Sequence, residues 1–266
     1  MSSTDEAPPR LLRRRLYTRR VARTTKTEAV VLRSFRLGEA DRVLHVYTAD
    51  RGRVGAVAKG IRKTKSRFGA RLEPFSHVEL LLHRGSGELG TVTGASLVRS
   101  HHLVREDPYR LAVGTIGAEA MLRLFPEQEA NERAFTALTR FLDRLDETPS
   151  RVPVRPALDP LVLSFQLKLL WLSGYLPHLG SCVECGGDAD LVAYLPAAGG
   201  AVCRACGAGA IPLSPDGLFG IRALVAAPLA DAGDTGLTDR GARDALAVVT
   251  ASYEHQGGFR LRTLSA

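Results

Sequence analysis

Four cysteines and one run of cations are the residues of this chain whose types and spacing can do chemistry. Cys182-Val-Glu-Cys185 and Cys203-Arg-Ala-Cys206 form two C-x2-C pairs separated by seventeen residues, inside the spacing of a four-thiolate zinc site. Two intervening residues let the backbone curl until both sulfurs of a pair point at one ion. Gly186 and Gly207, each directly after a pair, allow backbone N–H groups to turn toward the thiolates. Four thiolates leave no coordination position open, so the expected Zn2+ is a single structural ion without a catalytic water. A dithiol redox role needs one pair in a βαβ setting, and two matching pairs argue against it. His178 is an alternative ligand by proximity and otherwise reads as a surface histidine near a helix end.

The second feature is Lys59 to Arg71, where six of thirteen residues are cationic and none is acidic. Repulsion among them predicts a solvated, mobile segment until a polyanion neutralises it. A charge run alone is often no more than a solvated surface. Here it lies between predicted strands of one small barrel, a fold that commonly binds nucleic acid across one face, which favours a phosphate-binding loop with Phe68 placed to stack on a base. The charge distribution agrees: residues 1–80 hold 19 Lys/Arg against 8 Asp/Glu, while residues 81–266 hold 17 against 20.

Other chemistries lack their residues. Gly85-Ser-Gly87-Glu-Leu-Gly90 has dinucleotide-loop spacing but continues into a β-run, so it reads as a hairpin turn. Gly55 to Gly60 lacks the Lys-Ser/Thr of a P-loop. No G-x-S-x-G or H-E-x-x-H occurs, no cysteine remains outside the two pairs, and no cluster of carboxylates suited to Mg2+ stands out. The expected protein is therefore not an enzyme. No run of eighteen apolar residues and no secretory signal are present, and the clustered thiols suit a reducing compartment, so the sequence reads as cytoplasmic.

Stepping from sites to the elements that must hold them, the 266 residues suffice for two domains. Residues 1–26, with Arg10, Arg13, Arg14, Arg15, Arg19, Arg20, Arg23 and Lys26, read as a disordered basic arm. Residues 27–100 give five short strands, Glu28–Phe35, Arg42–Thr48, Arg53–Gly60, Pro74–His83 and Glu88–Arg99, parted by turns at Leu37–Asp41 and Asp50–Gly52. Residues 101–266 change to helical spacing. His101 and His102 read as interdomain linker residues. Helices are expected from Asp107-Pro108 to Phe125, from Glu127 to Glu147, from Asp159-Pro160 to Gly174 with Trp171 in the core, from Ser214, and from Thr238 to His255. Arg151 to Pro156 reads as a linker, and the cysteines occupy an insertion at about 178–212. The fold class is α+β in two domains: a five-stranded OB-fold β-barrel, then an α-helical domain with a zinc ribbon-like insertion.

Several stretches together resemble the RecO family of DNA repair mediators. They are Gly38-Glu39-Ala40-Asp41-Arg42, Ala58-Lys59-Gly60-Ile61-Arg62, Ser66-Arg67-Phe68, Leu72-Glu73-Pro74-Phe75, Gly174-Tyr175-Leu176-Pro177 and Gly199-Gly200-Ala201-Val202-Cys203. The resemblance spans about Lys26 to Leu264. It implies a protein that binds single- and double-stranded DNA, anneals complementary strands, and acts with RecR to load RecA onto strands coated by single-strand DNA-binding protein, associated with the nucleoid. It places DNA contacts on Arg36, Arg42, Lys59, Arg62, Lys63, Lys65, Arg67 and Arg71, beside Phe68. Zinc ligation falls to Cys182, Cys185, Cys203 and Cys206. An RNA-binding or ribosome-associated module is the alternative that the same basic barrel and four-cysteine ribbon would serve.

Overall fold

The computed structural model describes residues 24–84, 89–148 and 155–265; the expected arm up to residue 23, the tip of the Gly85–Gly87 turn and most of the 151–156 linker lie outside them. The first strand, β1 (Thr24–Leu37), begins four residues earlier than its alternation indicates. Thr24 to Lys26 pair with His83 to Leu81 of the fourth strand, and Lys26 forms an ion pair with Glu79, so these residues belong to the sheet. β2 (Asp41–Thr48), β3 (Gly52–Ala58), β4 (His77–His83) and β5 (Gly90–Arg99) complete the set.

The strands close in the order β1-β2-β3-β5-β4. All pairings are antiparallel except the closing one, where β3 and β5 run parallel through Ala56↔Gly90 and Val57↔Thr91. Closure removes every free edge of this sheet. Ala29, Val31, Leu44, Val46, Ala56, Val78, Leu80 and Val92 fill its interior. A bulge between Val31 and Arg33 interrupts the β1–β2 register. Up to the bulge, Ala29 and Val31 point inward; after it, Arg33, Phe35 and Leu37 are exposed on the outer wall.

The helical part comprises α1 (His102–Glu106), α2 (Pro108–Leu124), α3 (Glu132–Glu147), α4 (Pro160–Leu172), α5 (Pro215–Ala226), α6 (Asp239–His255) and the terminal turn α7 (Arg262–Ser265). Four long helices start as their sequences dictate: Asp107, Asp159, Ser214 and Thr238 accept hydrogen bonds from the backbone N–H of Arg110, Leu161, Gly217 and Gly241. The start of α3 departs from expectation. Residues 126–130 run beside β3, where Gln128 N donates to Arg53 O at 3.0 Å, and Asn131 then caps the helix through Ala134 N. Gly52 sits so close to this segment that a side-chain carbon there would overlap the Glu129 carbonyl.

Trp171 is the second departure, being 55% exposed although α4 is otherwise the central buried helix. It shares a strip with Lys168, whose Nζ donates to Ala227 O at 2.7 Å and satisfies the C-terminal carbonyls of α5. A cation three residues away was the local sign that this strip faces outward.

The sheet and the helices share one continuous core. Val30, Leu32 and Tyr47, pointing out of the strands, and Phe75 of the turn before β4 pack into the same apolar cluster as Val113, Phe125, Phe135 and Phe141. Tyr47 meets Phe125 edge-on at 5.7 Å. Arg53 crosses to the Leu122 carbonyl and pairs with Glu127. His101 is not a linker residue: it is fully buried at φ +43°, with Nδ1–H donating to Phe75 O at 2.8 Å and Nε2 meeting the Asp143 carboxylate at 2.8 Å. Arg99 reaches the same carboxylate at 3.0 Å. The partner lies forty-two positions away, beyond any local reading.

Replacing His101 by Ala leaves the Phe75 carbonyl without its donor in a dry joint. The expected cost is roughly 3 kcal/mol, seen as a melting temperature lower by several degrees. An unchanged melting curve would show that the joint does not depend on this ring.

Candidate nucleic-acid interface and metal centre

The cationic stretch follows a defined path of turns from β3 across the end of the sheet. Its entry is tied to the β1–β2 turn: Gly60 N donates to Asp41 Oδ1 at 2.7 Å, Arg62 N to Ala40 O at 3.0 Å, and Arg62 Nη1 to Glu39 O at 2.9 Å. Its exit is a 3-10 turn over Gly69–Leu72. Between them Phe68, expected to stack on a base, is 1% exposed and packs in the sheet's interior together with Leu72. An aromatic ring in a run of cations is the largest apolar group available to anchor that run, and burying it outweighs leaving it in water. Phe68 is thus a plug, not a stacking platform.

With the backbone pinned, the charged groups stay outside. Lys59, Arg62, Lys63, Lys65, Arg67 and Arg71 are all exposed. Arg71 and Arg67 use part of their donor capacity on backbone carbonyls, Arg67 O at 2.8 Å and Val92 O at 3.4 Å respectively. Arg36 and Arg42 face each other across β1 and β2, and Ala58, the residue before Lys59, is the next partner of Arg42. All eight cations expected from the sequence therefore gather at one end of the closed sheet. Among the described residues only Arg42 has a carboxylate within ion-pair distance, Glu73 at 3.5 Å. The alternation of β1 hid one further group, Arg33, Phe35 and His45, which the bulge turns onto the outer wall.

The four cysteines converge as their spacing requires. Cys182 and Cys185 precede β6 (Leu191–Leu195), Cys203 ends β7 (Gly200–Cys203), and Cys206 lies in the turn leading to β8 (Ile211–Pro212). The sheet order is β7-β6-β8. All four sulfurs lie within 4.8 Å of one another, and Cys185 Sγ stands 3.8 Å from Cys203 Sγ. Four sulfurs held about 2.3 Å from one ion in a tetrahedron are about 3.8 Å apart, so the set fits a four-thiolate metal site.

Gly186 adopts φ +79°, as expected after the first pair, but in the second knuckle the left-handed residue is Gly209 instead of Gly207. Backbone N–H groups at Cys203, Cys185 and Glu184 bring the Cys182 thiol down to about 6, while its hydrogen bond to Cys203, together with burial, pushes Cys206 up to about 12. His178 is engaged with Ser181 and is not among the converging ligands.

The ribbon is seated on the helices. Tyr194 is fully buried and its hydroxyl meets Ser252 Oγ of α6 at 2.8 Å, and Arg222 of α5 donates to the Leu179 carbonyl. Elsewhere, a groove of about 1010 Å³ runs between α3 and α4, with Leu167, Trp171 and Leu172 on its floor and Arg133, Arg140 and Arg144 along its rim.

Two outcomes follow. Cys203→Ser should abolish stoichiometric metal, measured by atomic emission, and lower the melting temperature of the helical part, leaving the sheet folded; full metal content in that variant would exclude Cys203 as a ligand. Phe68→Ala should destabilise the barrel by about 3–5 kcal/mol through the cavity it leaves, whereas Phe68→Leu, which still plugs the interior, should keep nucleic-acid affinity near the parent's. A large affinity loss in a stably folded Phe68→Leu variant would restore a stacking role.

Two family models match nearly all of the described chain. The family model described as "Recombination protein O N terminal" matches residues 22–101, and "Recombination protein O C terminal" matches residues 105–265. The DNA repair protein RecO of Rubrobacter xylanophilus is 43% identical over 234 residues, covering 86% of this chain and 90% of that protein. The protein of the same name from Frankia casuarinae is 40% identical over 207 residues, covering 73% and 82%, and that from Anaeromyxobacter sp. strain K is 34% identical over 242 residues, covering 89% and 92%. With the cationic sheet end, the cysteine knuckles and the helices all inside the matched segments, this chain belongs to the RecO family.

Proposed function

We propose that this protein acts in DNA repair and homologous recombination by binding single- and double-stranded DNA at the cationic end of its barrel, an OB-fold in this reading. In this role it anneals complementary strands and, with RecR, promotes loading of RecA onto strands coated by single-strand DNA-binding protein. The observation that carries the reading is the gathering of Arg36, Arg42, Lys59, Arg62, Lys63, Lys65, Arg67 and Arg71 at one sheet end, with a single carboxylate among them in ion-pair reach. A cluster of this kind costs electrostatic energy unless a polyanion offsets it.

No bond is made or broken in the mechanism. Lys and Arg side chains displace counterions from phosphates, and two strands held on one cationic surface no longer repel each other, while base pairing stabilises the product. Zn2+ held by Cys182, Cys185, Cys203 and Cys206 keeps the ribbon in shape; with four thiolates there is no place on it for substrate. RecR and the single-strand binding protein need surfaces apart from the DNA. The groove between α3 and α4, with its apolar floor and arginine rim, is suited to one of them. The reading places the protein in the cytoplasm, at the nucleoid.

The test is Lys63→Ala, Lys65→Ala and Arg67→Ala combined in one protein. If the three cations contact phosphates, the slope of log affinity against log salt for a single strand should flatten by about 2, at about 0.7 per contact, and annealing of complementary strands should slow in parallel. An unaltered slope would remove the loop from the interface.

A further inference from the structure

The outer wall of the barrel carries a group that the cationic end does not include. Phe35 is 38% exposed on β1. The Arg33 guanidinium carbon lies 4.3 Å from its ring centroid, and His45 of β2 meets the ring edge-on at 5.5 Å and 80°. Arg33 also lines a cleft of about 590 Å³ between β1 and α2, whose far wall supplies Arg123 and Arg262. These three arginines are exposed, and among the described residues none has a carboxylate in ion-pair reach. The one acid in the cleft, Glu119, is already engaged: it accepts from Arg262 N, from Thr263 N and from the Thr263 hydroxyl. An exposed ring, a cation resting on it and two more guanidinium groups across a cleft, that of Arg123 lying 5.5 Å from the Phe259 ring centroid, make up a surface complementary to a chain of phosphates bearing free bases.

We propose that this cleft and the Phe35 ring adjoining it through Arg33 form a single-strand DNA subsite, in which Phe35 stacks with an unpaired base and Arg33, Arg123 and Arg262 take the adjoining phosphates. The proposal rests on the DNA-binding reading above and extends it to a second surface. The guanidinium of Arg33 covers one face of the ring in the free protein. A base can replace it there while Arg33, on its flexible stem, moves to the phosphate. Continuity with the cationic end is built into β1: the neighbouring Arg36 points toward the barrel end and pairs across the strands with Arg42. A strand leaving the loop therefore reaches Phe35 by passing over one residue of β1. A duplex has no free base to offer, so this subsite distinguishes single strands from duplex, which the cationic end alone does not.

The experiment is equilibrium binding of the full chain, followed by fluorescence anisotropy, to a mixed-sequence single-stranded oligodeoxynucleotide and to the corresponding blunt duplex. Phe35→Ala should weaken single-strand binding about tenfold and leave duplex binding within about twofold, since each stacked base contributes on that order. Phe35→Trp should bind single strands at least as well as the parent, and Arg123→Ala with Arg262→Ala should flatten the single-strand salt slope by about 1.4. Phe35→Ala with parental single-strand affinity, or an equal loss on duplex and single strand, overturns the subsite. Equal loss in Phe35→Trp and Phe35→Ala overturns stacking in the same way. The two readings separate cleanly. If the Lys63, Lys65 and Arg67 variant weakens binding and Phe35→Ala does not, only the cleft falls; if the parent protein binds no DNA, both fall.

Discussion

The structure depends on β1 being buried from both sides. Ala29 and Val31 close the interior of the barrel, while Val30 and Leu32 pack against the helices, so four successive residues are removed from water. A strand used in this way cannot slip, because a shift of one residue would exchange the two apolar sets and carry every neighbour with it. The strand also sets where the residues that follow it are presented. The bulge that follows it sends Arg33 and Phe35 outward and Arg36 toward the barrel end, and the joint formed by His101, Asp143 and Phe75 fixes the same strand to the helices through the Phe75–Val31 backbone pair.

The cationic loop shows how repulsion and order coexist. Six like charges in thirteen residues would keep a free peptide extended. Here two apolar anchors, Phe68 and Leu72, and three hydrogen bonds to the β1–β2 turn hold the backbone against that repulsion, and the charged ends spread into solvent, where screening keeps the cost low.

Much of this was legible from residue order. The helix caps at Asp107, Asp159, Ser214 and Thr238 and the convergence of the four cysteines are local signals, and the structure places each where its spacing indicates. The failures were contacts made at long range. Phe68 looked like a surface aromatic because its neighbours are charged, and only the hollow end of the barrel explains its burial. His101 finds Asp143 on a helix that the sequence cannot bring near it. Residues 127–130 have helical composition but are claimed by Arg53 of β3. Trp171 reads as core by type, and only the position of Lys168 on the same strip opposes that. The β1 bulge erased the most informative signal of all, because simple alternation assigns Arg33 and Phe35 to the interior.

The parallel seam between β3 and β5 has a consequence of its own. It is held by the two residue pairs Ala56↔Gly90 and Val57↔Thr91, whereas every other junction of the barrel is an antiparallel ladder of seven or more pairs. Local opening follows the path of least protection, so amide hydrogens along this seam should exchange with solvent before those of the antiparallel strands. The chain crosses the barrel end between these two strands, with Arg67 fastened to Val92 of β5 and the residues after Ala58 continuing from β3. The seam and the charged crossing therefore meet at one place, and a backbone probe at Ala56, Val57, Gly90 or Thr91 reports on both.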